Sequence, residues 1–281
     1  MIRPYRSALY IPASSPRALE KAEALAADAI IFDLEDAVAP EEKTAARAAL
    51  LQLLSSRDYG MRAKLVRINA LETEWGRADA LAMASLAGRI DGVLLPKVNG
   101  PQDLHRLAEL TPSIDLWAMM ETAQSMLNAG AIAAHPRLRG MVMGTNDLAK
   151  ELGARERADR LPLMAGLGHC LLAARAHGRV ILDGVYNAFK DEAGLAAECE
   201  QGRDMGFDGK TVIHPAQLAI ANAVFSPAAA EIDLARRQIE AFEAVAAKGG
   251  GVAVLDGKIV ENLHVESARA ILAKAAAIAA L

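Results

Sequence analysis

The sequence is poor in cysteine and in aromatic residues. Only two cysteines, Cys170 and Cys199, occur among 281 residues, and they have neither the spacing of a metal-binding pair nor the density of a disulfide scaffold. Two Trp, four Tyr and five Phe make up 4% of the chain. The core must therefore be built from Ala, Leu, Val and Ile, and we expect both cysteines to be reduced thiols of a cytoplasmic protein.

A strong excess of one charge and long apolar runs are also missing. The chain has 31 Lys and Arg against 35 Asp and Glu, a formal charge of −4, so electrostatics gives no reason to expect nucleic acid or an anionic membrane as a partner. No uninterrupted apolar run reaches the roughly 18 residues of a membrane span, and the N-terminus lacks a signal-peptide core. With 53% hydrophobic and 23% charged residues, the composition excludes a disordered chain.

Eight short apolar runs alternate with longer segments of helical periodicity. The runs are Ser7–Ile11, Ala29–Leu34, Ala63–Ile68, Gly92–Leu95, Leu116–Met120, Met141–Met143, Arg179–Leu182 and Gly209–Ile213. This alternation predicts right-handed βαβ units and a parallel sheet. Eight repeats fit an α/β fold of the closed (β/α)₈ type, a TIM barrel, over residues 1–225. An open doubly wound sheet is the alternative, but no GxGxxG loop follows the first run.

Residues 226–281 depart from this rhythm. The long amphipathic segment Glu231–Ala247 precedes a glycine-rich hinge and two short runs around Asp256-Gly257, a strong hairpin signal. An Ala-rich helix is predicted from about Val265. We expect a helix–hairpin–helix extension that closes as a lid over a barrel mouth, its own or a neighbour's. A plain C-terminal packing element is the alternative.

Polar or charged residues follow every predicted strand, at the end where the active site of such a barrel lies. Four of them, Glu35, Asp36, Glu121 and Asp147, are carboxylates, which repel one another unless a cation or protons intervene. Oxygen ligands without cysteine or clustered histidine suit Mg²⁺ or Mn²⁺. We therefore predict Glu121 and Asp147 as direct metal ligands. The alternative is that both are helix N-caps or first-turn acids.

Arg67 ends a predicted buried strand, so its guanidinium needs an anionic partner. Beside a metal it would hold the carboxylate or enolate oxygen of a small acid. The backbone N–H groups of Thr145 and Asn146, which follow Gly144, would face the same anion. A structural salt bridge from Arg67 to Glu35 or Asp36 is the alternative.

A second positive cluster is predicted near the first strand. Arg17 and Lys21 are four residues apart and so share one helix face, with Arg6 nearby and Lys43 beside them. Such a patch could bind the phosphates of a nucleotide-bearing substrate. The alternative is a solvated helix face.

Several stretches resemble the citrate lyase β-subunit-like proteins of the HpcH/HpaI aldolase superfamily, which includes malyl-CoA and citramalyl-CoA lyases. They run in family order and span almost the whole chain. They are Arg6-Ser7-Ala8-Leu9-Tyr10-Ile11-Pro12, Phe32-Asp33-Leu34-Glu35-Asp36-Ala37-Val38, Lys43-Thr44-Ala45-Ala46-Arg47, Val66-Arg67-Ile68-Asn69, Leu95-Pro96-Lys97, Glu121-Thr122-Ala123, Gly144-Thr145-Asn146-Asp147-Leu148 and Gly209-Lys210-Thr211-Val212-Ile213-His214-Pro215.

The resemblance implies a trimeric or hexameric TIM barrel with a lid shared between subunits. It implies reversible Claisen-type cleavage of a 3-hydroxyacyl-CoA, such as malyl-, citramalyl- or citryl-CoA, into an acyl-CoA and a 2-oxo acid. It also places coenzyme A along the first helix. The resulting site residues are Glu121 and Asp147 for the metal; Arg67, Gly144, Thr145, Asn146 and Glu35 for the acid; Tyr10, Arg17, Lys21, Ile213 and His214 for coenzyme A; and Arg67, Asp36 and Glu261 for catalysis.

Two positions differ from related patterns. The family's acid–base group is an Asp on the lid hairpin, in a pattern like Met-Ile-Asp-x-Pro, whereas this chain has Glu261 there and lacks the Pro. A Glu can transfer the same proton, but its extra methylene moves the carboxylate enough to affect the geometry. Pyruvate-type aldolases carry a basic His at the position of Asp36, and its absence argues against a free-acid aldolase.

The main prediction is therefore a cytoplasmic, Mg²⁺-dependent carbon–carbon lyase that acts on a 3-hydroxyacyl-CoA as a homo-oligomer. Two alternatives remain open. One is a malyl-CoA thioesterase, since water could use the same site. The other is a non-catalytic acyl-CoA-binding subunit in which Glu261 is inert. The thioester carrier is either free coenzyme A or an acyl-carrier protein, so a complex with a carrier protein is a further possible partner.

Overall fold

Eight parallel strands close into a barrel. The computed structural model describes residues 3–281, so Met1 and Ile2 of the predicted barrel range lie outside it. The strands are β1 (Ser7–Pro12), β2 (Ala29–Asp33), β3 (Ala63–Arg67), β4 (Gly92–Leu95), β5 (Leu116–Met120), β6 (Leu138–Met143), β7 (Val180–Asp183) and β8 (Gly209–Val212). They pair in sequence order, and β8 also pairs with β1, which closes the barrel.

Helices follow the strands and cover the barrel. They are α1 (Pro16–Ala22), α2 (Lys43–Ser56), α3 (Gly76–Ala84), α4 (Pro101–Leu110), α5 (Ala123–Leu127), α6 (Ala129–Ala133), α7 (Thr145–Glu151), α8 (Met164–Ala176), α9 (Glu192–Met205) and α10 (Leu218–Val224). Local signals set their starts. The Ser15 hydroxyl caps α1 by accepting the Ala18 N–H at 3.4 Å, with Pro16 in the first turn. The predicted (β/α)₈ fold is confirmed.

One tryptophan fills much of the barrel interior. Trp117 on β5 is fully buried, and its ring centroid lies 5.3 Å from that of Tyr5. Glycines on the two neighbouring strands leave space for the indole: a Cβ on Gly92 or Gly140 would lie 2.6 or 2.4 Å from it. The remaining interior side chains are mostly Ala, Leu, Ile and Val, as the low aromatic content predicts.

Both cysteines lie in helices that follow barrel strands. Cys170 and Cys199 are buried and free, on α8 and α9. Burial raises the pKa of each thiol to about 12. Neither thiol is therefore poised to act as a nucleophile at neutral pH.

The chain divides into two compact units, Tyr5–Asn222 with the barrel and Ala223–Leu281 together with residues 3 and 4. The second unit contains the helices α11 (Ala229–Ala246) and α12 (Asn262–Ala279) and, between them, the hairpin of β9 (Ala253–Leu255) and β10 (Lys258–Val260).

The hairpin turn has the conformation that its sequence predicts. Asp256 and Gly257 both have positive φ, 50° and 74°, as a two-residue type I′ turn requires. Ala253, Val260 and Val265 form a small buried cluster within this unit. The helix–hairpin–helix pattern is therefore present, and its action as a lid stays a prediction.

Among residues 3–281, the segment Pro215–Ala246 has the length and hydropathy of a membrane-crossing helix, with a mean hydropathy of 1.3. The structure divides this segment into α10 and α11, separated by residues 225–228. Apolar helices that pack within a protein core have the same length and composition. The expected absence of a membrane partner therefore stays a prediction.

Candidate active site

A cavity of ≈ 360 Å³ opens at the carboxyl ends of the barrel strands. This is the end at which TIM barrels carry their active sites. Nine of the predicted site residues line it: Tyr10, Asp36, Arg67, Glu121, Gly144, Thr145, Asn146, Asp147 and Ile213. The residues Asp33, Val185 and Asn187, which the sequence analysis assigned no role, line it as well.

Arg67 is held in the cavity wall by a buried two-point ion pair. Its Nε lies 2.7 Å from Asp33 Oδ1 and its Nη2 lies 2.6 Å from Asp33 Oδ2. Burial disfavours the cation, but Asp33, Tyr10 and Glu35 together outweigh burial and hold the pKa of the guanidinium above its ordinary value. A guanidinium has five N–H donors. The pair with Asp33 uses two of them and leaves the Nη1 edge directed away from that pair.

Glu35 lies at the Nη1 edge of Arg67. Its Oε2 is 2.8 Å from Nη1, at an angle that does not make a hydrogen bond, and the more exposed Asp36 is 3.8 Å away. Burial raises the pKa of Glu35 to about 8, with Arg67 opposing the shift and Asp36 and Glu121 adding to it. The salt bridge considered as an alternative role for Arg67 is thus present, and Asp33 adds a stronger one.

The structure contradicts part of the predicted positive cluster. Lys43 is buried, and its Nζ donates to two carbonyl oxygens of the β2–α2 loop at 3.1 and 2.6 Å. Arg6 precedes β1, at the opposite end of the barrel, and pairs with Asp28 at 2.7 Å. Only Arg17 and Lys21 remain exposed, on α1. Their predicted contact with coenzyme A stays a prediction.

Glu121 and Asp147, the predicted metal ligands, share one ammonium group. Lys97 Nζ lies 3.0 Å from Asp147 Oδ1 and 3.5 Å from Glu121 Oε1. The backbone N–H of Lys97 also donates to Glu121 Oε1, at 2.7 Å. Burial raises the pKa of Glu121, Lys97 opposes the shift, and Asp147 adds to it. Lys97 belongs to one of the stretches that carry the family resemblance, but it was given no role from the sequence.

The donor set fits a magnesium ion. Glu121 is 1% exposed, and its Oε2 is buried with no hydrogen-bond partner. An orphaned buried carboxylate oxygen is costly unless a cation or a donor approaches it. Within the described part of the chain no three His, Cys, Asp or Glu side chains form a metal-binding group. Mg²⁺ accepts two carboxylates completed by water and substrate oxygens, whereas Zn²⁺ sites are built mainly from Cys and His.

A glycine allows the buried carboxylate to occupy its position. A Cβ on Gly144 would lie 2.3 Å from Glu121 Cβ and 2.6 Å from Glu121 Oε2. Helix α7 begins directly after this glycine, and the side chains of Asn146 and Asn187 exchange hydrogen bonds at 3.1 and 2.9 Å. The segment after β6 is therefore held in part by a residue that follows β7.

Tyr10, predicted to contact coenzyme A, lines the cavity beside Arg67. Its ring lies 4.9 Å from the Arg67 guanidinium, and its hydroxyl contacts Met119 Sδ at 3.4 Å. Ile213 lines the cavity at 41% exposure, and the adjacent His214 ring stacks on Phe189 at 4.5 Å. An exposed apolar residue at the cavity edge is compatible with a pantetheine arm, but coenzyme A contact at these residues stays a prediction.

Glu261 lies in the second unit, directly before α12. Its backbone N–H donates to His264 Nδ1 at 3.0 Å, and the residue is exposed. Its predicted acid–base role stays a prediction.

The model of the HpcH/HpaI aldolase/citrate lyase family matches residues 6–215. This range contains all eight barrel strands and the cavity residues described above. The chain belongs to this family. The resemblance inferred from the sequence motifs is therefore confirmed.

Relatives within the family fall at two levels of similarity. The chain is 69% identical over 277 residues to a (3S)-malyl-CoA thioesterase of Cereibacter sphaeroides, covering 99% of this chain and 96% of the relative. It is 32% identical over 307 residues to an L-malyl-CoA/beta-methylmalyl-CoA lyase of the same organism, with the same coverage.

A solved structure is similar over nearly the full length. This is the crystal structure of CitE from Mycobacterium tuberculosis in complex with magnesium, acetoacetate and coenzyme A, with a TM-score of 0.80 and 34% identity. The match covers 98% of this chain and 100% of that one. Magnesium and coenzyme A, predicted here from the sequence, are thus both present in a family member of the same fold.

Proposed function

We propose that this protein is a Mg²⁺-dependent thioesterase that hydrolyses (3S)-malyl-CoA to malate and coenzyme A. The observation that carries this proposal is the 69% identity to a (3S)-malyl-CoA thioesterase, against 32% to a malyl-CoA lyase of the same organism. Of the two relatives, the chain thus groups with the hydrolase. The thioesterase considered as an alternative in the sequence analysis therefore takes the place of the lyase as the main proposal.

The cavity supplies a binding site for the free carboxylate of a malyl group. Asp33 fixes two of the Arg67 nitrogens. The Nη1 edge, which Glu35 approaches without a hydrogen bond, would hold the substrate carboxylate. Pre-positioning of this kind reduces the entropy that the side chain loses when the substrate binds. The cavity volume of ≈ 360 Å³ suits a small acid and not a large acyl chain.

The metal would be held by Glu121 and Asp147 at the adjacent strand ends. Mg²⁺ supplies Lewis-acid polarisation of a substrate oxygen when it is bound there. The chain's own contribution is to keep two carboxylates close together and the Glu121 oxygen Oε2 without another partner. The same pair also raises the negative charge of the cavity, which the Arg67 and Lys97 cations offset.

Hydrolysis requires a group that accepts a proton from water. The oxygen of water bonds to the thioester carbonyl carbon, the C–S bond breaks, and the sulfur leaves as a thiolate that takes up a proton. Asp36 is a carboxylate in the cavity wall, and its side chain is 66% exposed, so water reaches it. Glu261 is the other candidate. We assign the proton transfer to Asp36 or Glu261. The single variants Asp36→Asn and Glu261→Gln distinguish the two.

Product analysis on (3S)-malyl-CoA, with Mg²⁺ or with EDTA, tests this function. The proposal predicts malate and free coenzyme A in equal amounts, formed only with the metal, and no 2-oxo acid. Glyoxylate together with acetyl-CoA would overturn it. A Glu121→Gln variant that keeps full metal-dependent activity would overturn the metal assignment alone.

Carbon–carbon cleavage is the second candidate function. It is favoured by the lyase relative and by a site whose metal pair and Arg67 suit polarisation of the hydroxyl that becomes a carbonyl. Citramalyl-CoA and citryl-CoA should be tested beside malyl-CoA, as free thioesters and on a carrier protein. No reaction with any of these thioesters would favour an acyl-CoA-binding subunit without catalytic activity.

We further propose that the protein is a cytoplasmic homo-oligomer, a trimer or a hexamer, without nucleic acid or membrane partners. The composition and charge support the absence of such partners. Light scattering coupled to gel filtration measures the subunit number directly. A monomer at micromolar concentration would contradict this part of the proposal.

A further inference from the structure

Lys97 combines an uncommon backbone conformation with two carboxylate contacts. Its φ is +53°, in the left-handed region that favours glycine. From there its backbone N–H reaches Glu121 at 2.7 Å and its ammonium reaches Asp147 at 3.0 Å. A glycine would form the same turn without strain. A lysine at this position therefore indicates that the side chain itself contributes to the site.

The ammonium balances charge at the strand ends. Glu121 is 1% exposed, and the negative charge of Asp147 acts on its carboxylate. Among residues 3–281, the Lys97 ammonium lies within 4 Å of both carboxylates. Without it, this pair would hold two negative charges with no counter-ion bound between them.

The ammonium and a metal ion would compete as counter-ions of the same two carboxylates. Mg²⁺ binds carboxylate oxygens at about 2.0–2.1 Å. Lys97 Nζ uses Asp147 Oδ1 at 3.0 Å and lies 3.5 Å from Glu121 Oε1. A metal ion held by Glu121 and Asp147 would replace the ammonium as their counter-ion. The Lys97 side chain is 38% exposed, so its ammonium can move into solvent.

We propose that Lys97 is a displaceable counter-ion of the metal site: its ammonium positions Glu121 and Asp147 while no metal is bound and withdraws when Mg²⁺ binds. The inference rests on the metal assignment made under the proposed function. Lys97 is thus a positioning residue that acts through the two ligands. It weakens metal binding and, in return, preserves the geometry of the metal-free site.

The inference is tested by calorimetric titration with Mg²⁺ and Mn²⁺, without substrate. The metal affinities of the parent protein and of Lys97→Met, Lys97→Gly and Lys97→Arg are compared. Because the competing charge is lost, the Lys97→Met and Lys97→Gly variants should bind metal on the order of tenfold more tightly than the parent protein. Arg keeps the cation and should bind metal like the parent protein. In EDTA, the Met variant should melt several degrees below the parent protein, about the shift of a lost ion pair in a domain of this size. Saturating Mg²⁺ should remove that difference.

Comparing Lys97→Met with Lys97→Gly separates the effect of the lost charge from the effect of the backbone conformation. Gly relieves the strain at positive φ, so Lys97→Gly should recover part of the melting temperature in EDTA while it keeps the tighter metal binding. Unchanged or weaker metal binding by both variants would overturn the inference and leave the metal site intact. If the parent protein binds neither metal, the metal assignment fails and this inference fails with it.

Discussion

The Arg67 guanidinium and the Asp33 carboxylate join two neighbouring barrel strands through two hydrogen bonds of 2.7 and 2.6 Å. The two residues are partners in the β2–β3 register, and each ends its strand. Asp33 also accepts the backbone N–H groups of Glu35 and Ala37, at 2.9 and 3.1 Å. One buried carboxylate therefore fixes both the arginine and the loop that carries Glu35.

Replacing Asp33 tests this arrangement. Asp33→Asn should destabilise the protein by about 3 kcal/mol, because it leaves a buried cation without its partner, and should raise KM for the thioester more than it lowers kcat. Urea unfolding and steady-state kinetics measure the two effects. The matched control is Asp28→Asn, which breaks a buried pair with Arg6 at the opposite end of the barrel. The control should lose stability without a change in KM.

Stability should fall with pH through Glu35. Its folded pKa of about 8 lies above its ordinary value of 4.5, so the folded state retains this proton over that interval while the unfolded chain loses it. The contribution to stability is complete below pH 4.5 and is lost as the pH rises to about 8. Unfolding free energies in EDTA, measured between these values, should decline more steeply for the parent protein than for Glu35→Gln. Parallel curves would show that Glu35 titrates normally.

Glu121→Gln should abolish metal binding and leave the fold intact. The amide keeps the oxygen that accepts the Lys97 N–H but removes the buried charge, so stability in EDTA should equal or exceed that of the parent protein. Calorimetry with Mg²⁺ and thermal unfolding check both points. Parent-like metal affinity in this variant would move the metal away from Glu121.

Gly144→Ala should reduce activity and metal affinity together. Its Cβ would lie 2.3 Å from Glu121 Cβ, so the carboxylate must shift from its position. The control is Gly168→Ala in the middle of α8, where no atom lies within 4 Å of the added Cβ. Alanine there should be neutral or stabilising by up to about 1 kcal/mol. Equal losses in the two variants would contradict a specific effect on Glu121.

The fold could be predicted because its signals are local and periodic. Strand β4 and strand β5 have the predicted bounds, and the Asp256-Gly257 turn has the predicted conformation. Strand β6 starts earlier than predicted, at Leu138, because the polar Arg139 interrupts the apolar pattern. The strand continues through Arg139 with a shift of register, so that Leu138 pairs with Leu116 and Gly140 with Trp117. Closure of the barrel followed from the number of repeats.

The site was less predictable, because it depends on which side chains are buried. The role of Asp33 could have been found from its place, since the ends of neighbouring parallel strands meet. The contacts of Lys43 and Lys97 could not be predicted in this way. Lys43 is buried under a loop, and Lys97 reaches its carboxylates from a left-handed backbone conformation. Periodicity carries no information on either contact.

Isotope incorporation during turnover tests the central claim most directly. The protein should be incubated with (3S)-malyl-CoA and Mg²⁺ in H₂¹⁸O, with a trap for 2-oxo acids present from the start. Direct hydrolysis predicts one ¹⁸O atom in the new carboxylate of malate, a matching amount of coenzyme A and an empty trap. Trapped glyoxylate with acetyl-CoA, and no labelled malate, would contradict the thioesterase and establish the lyase.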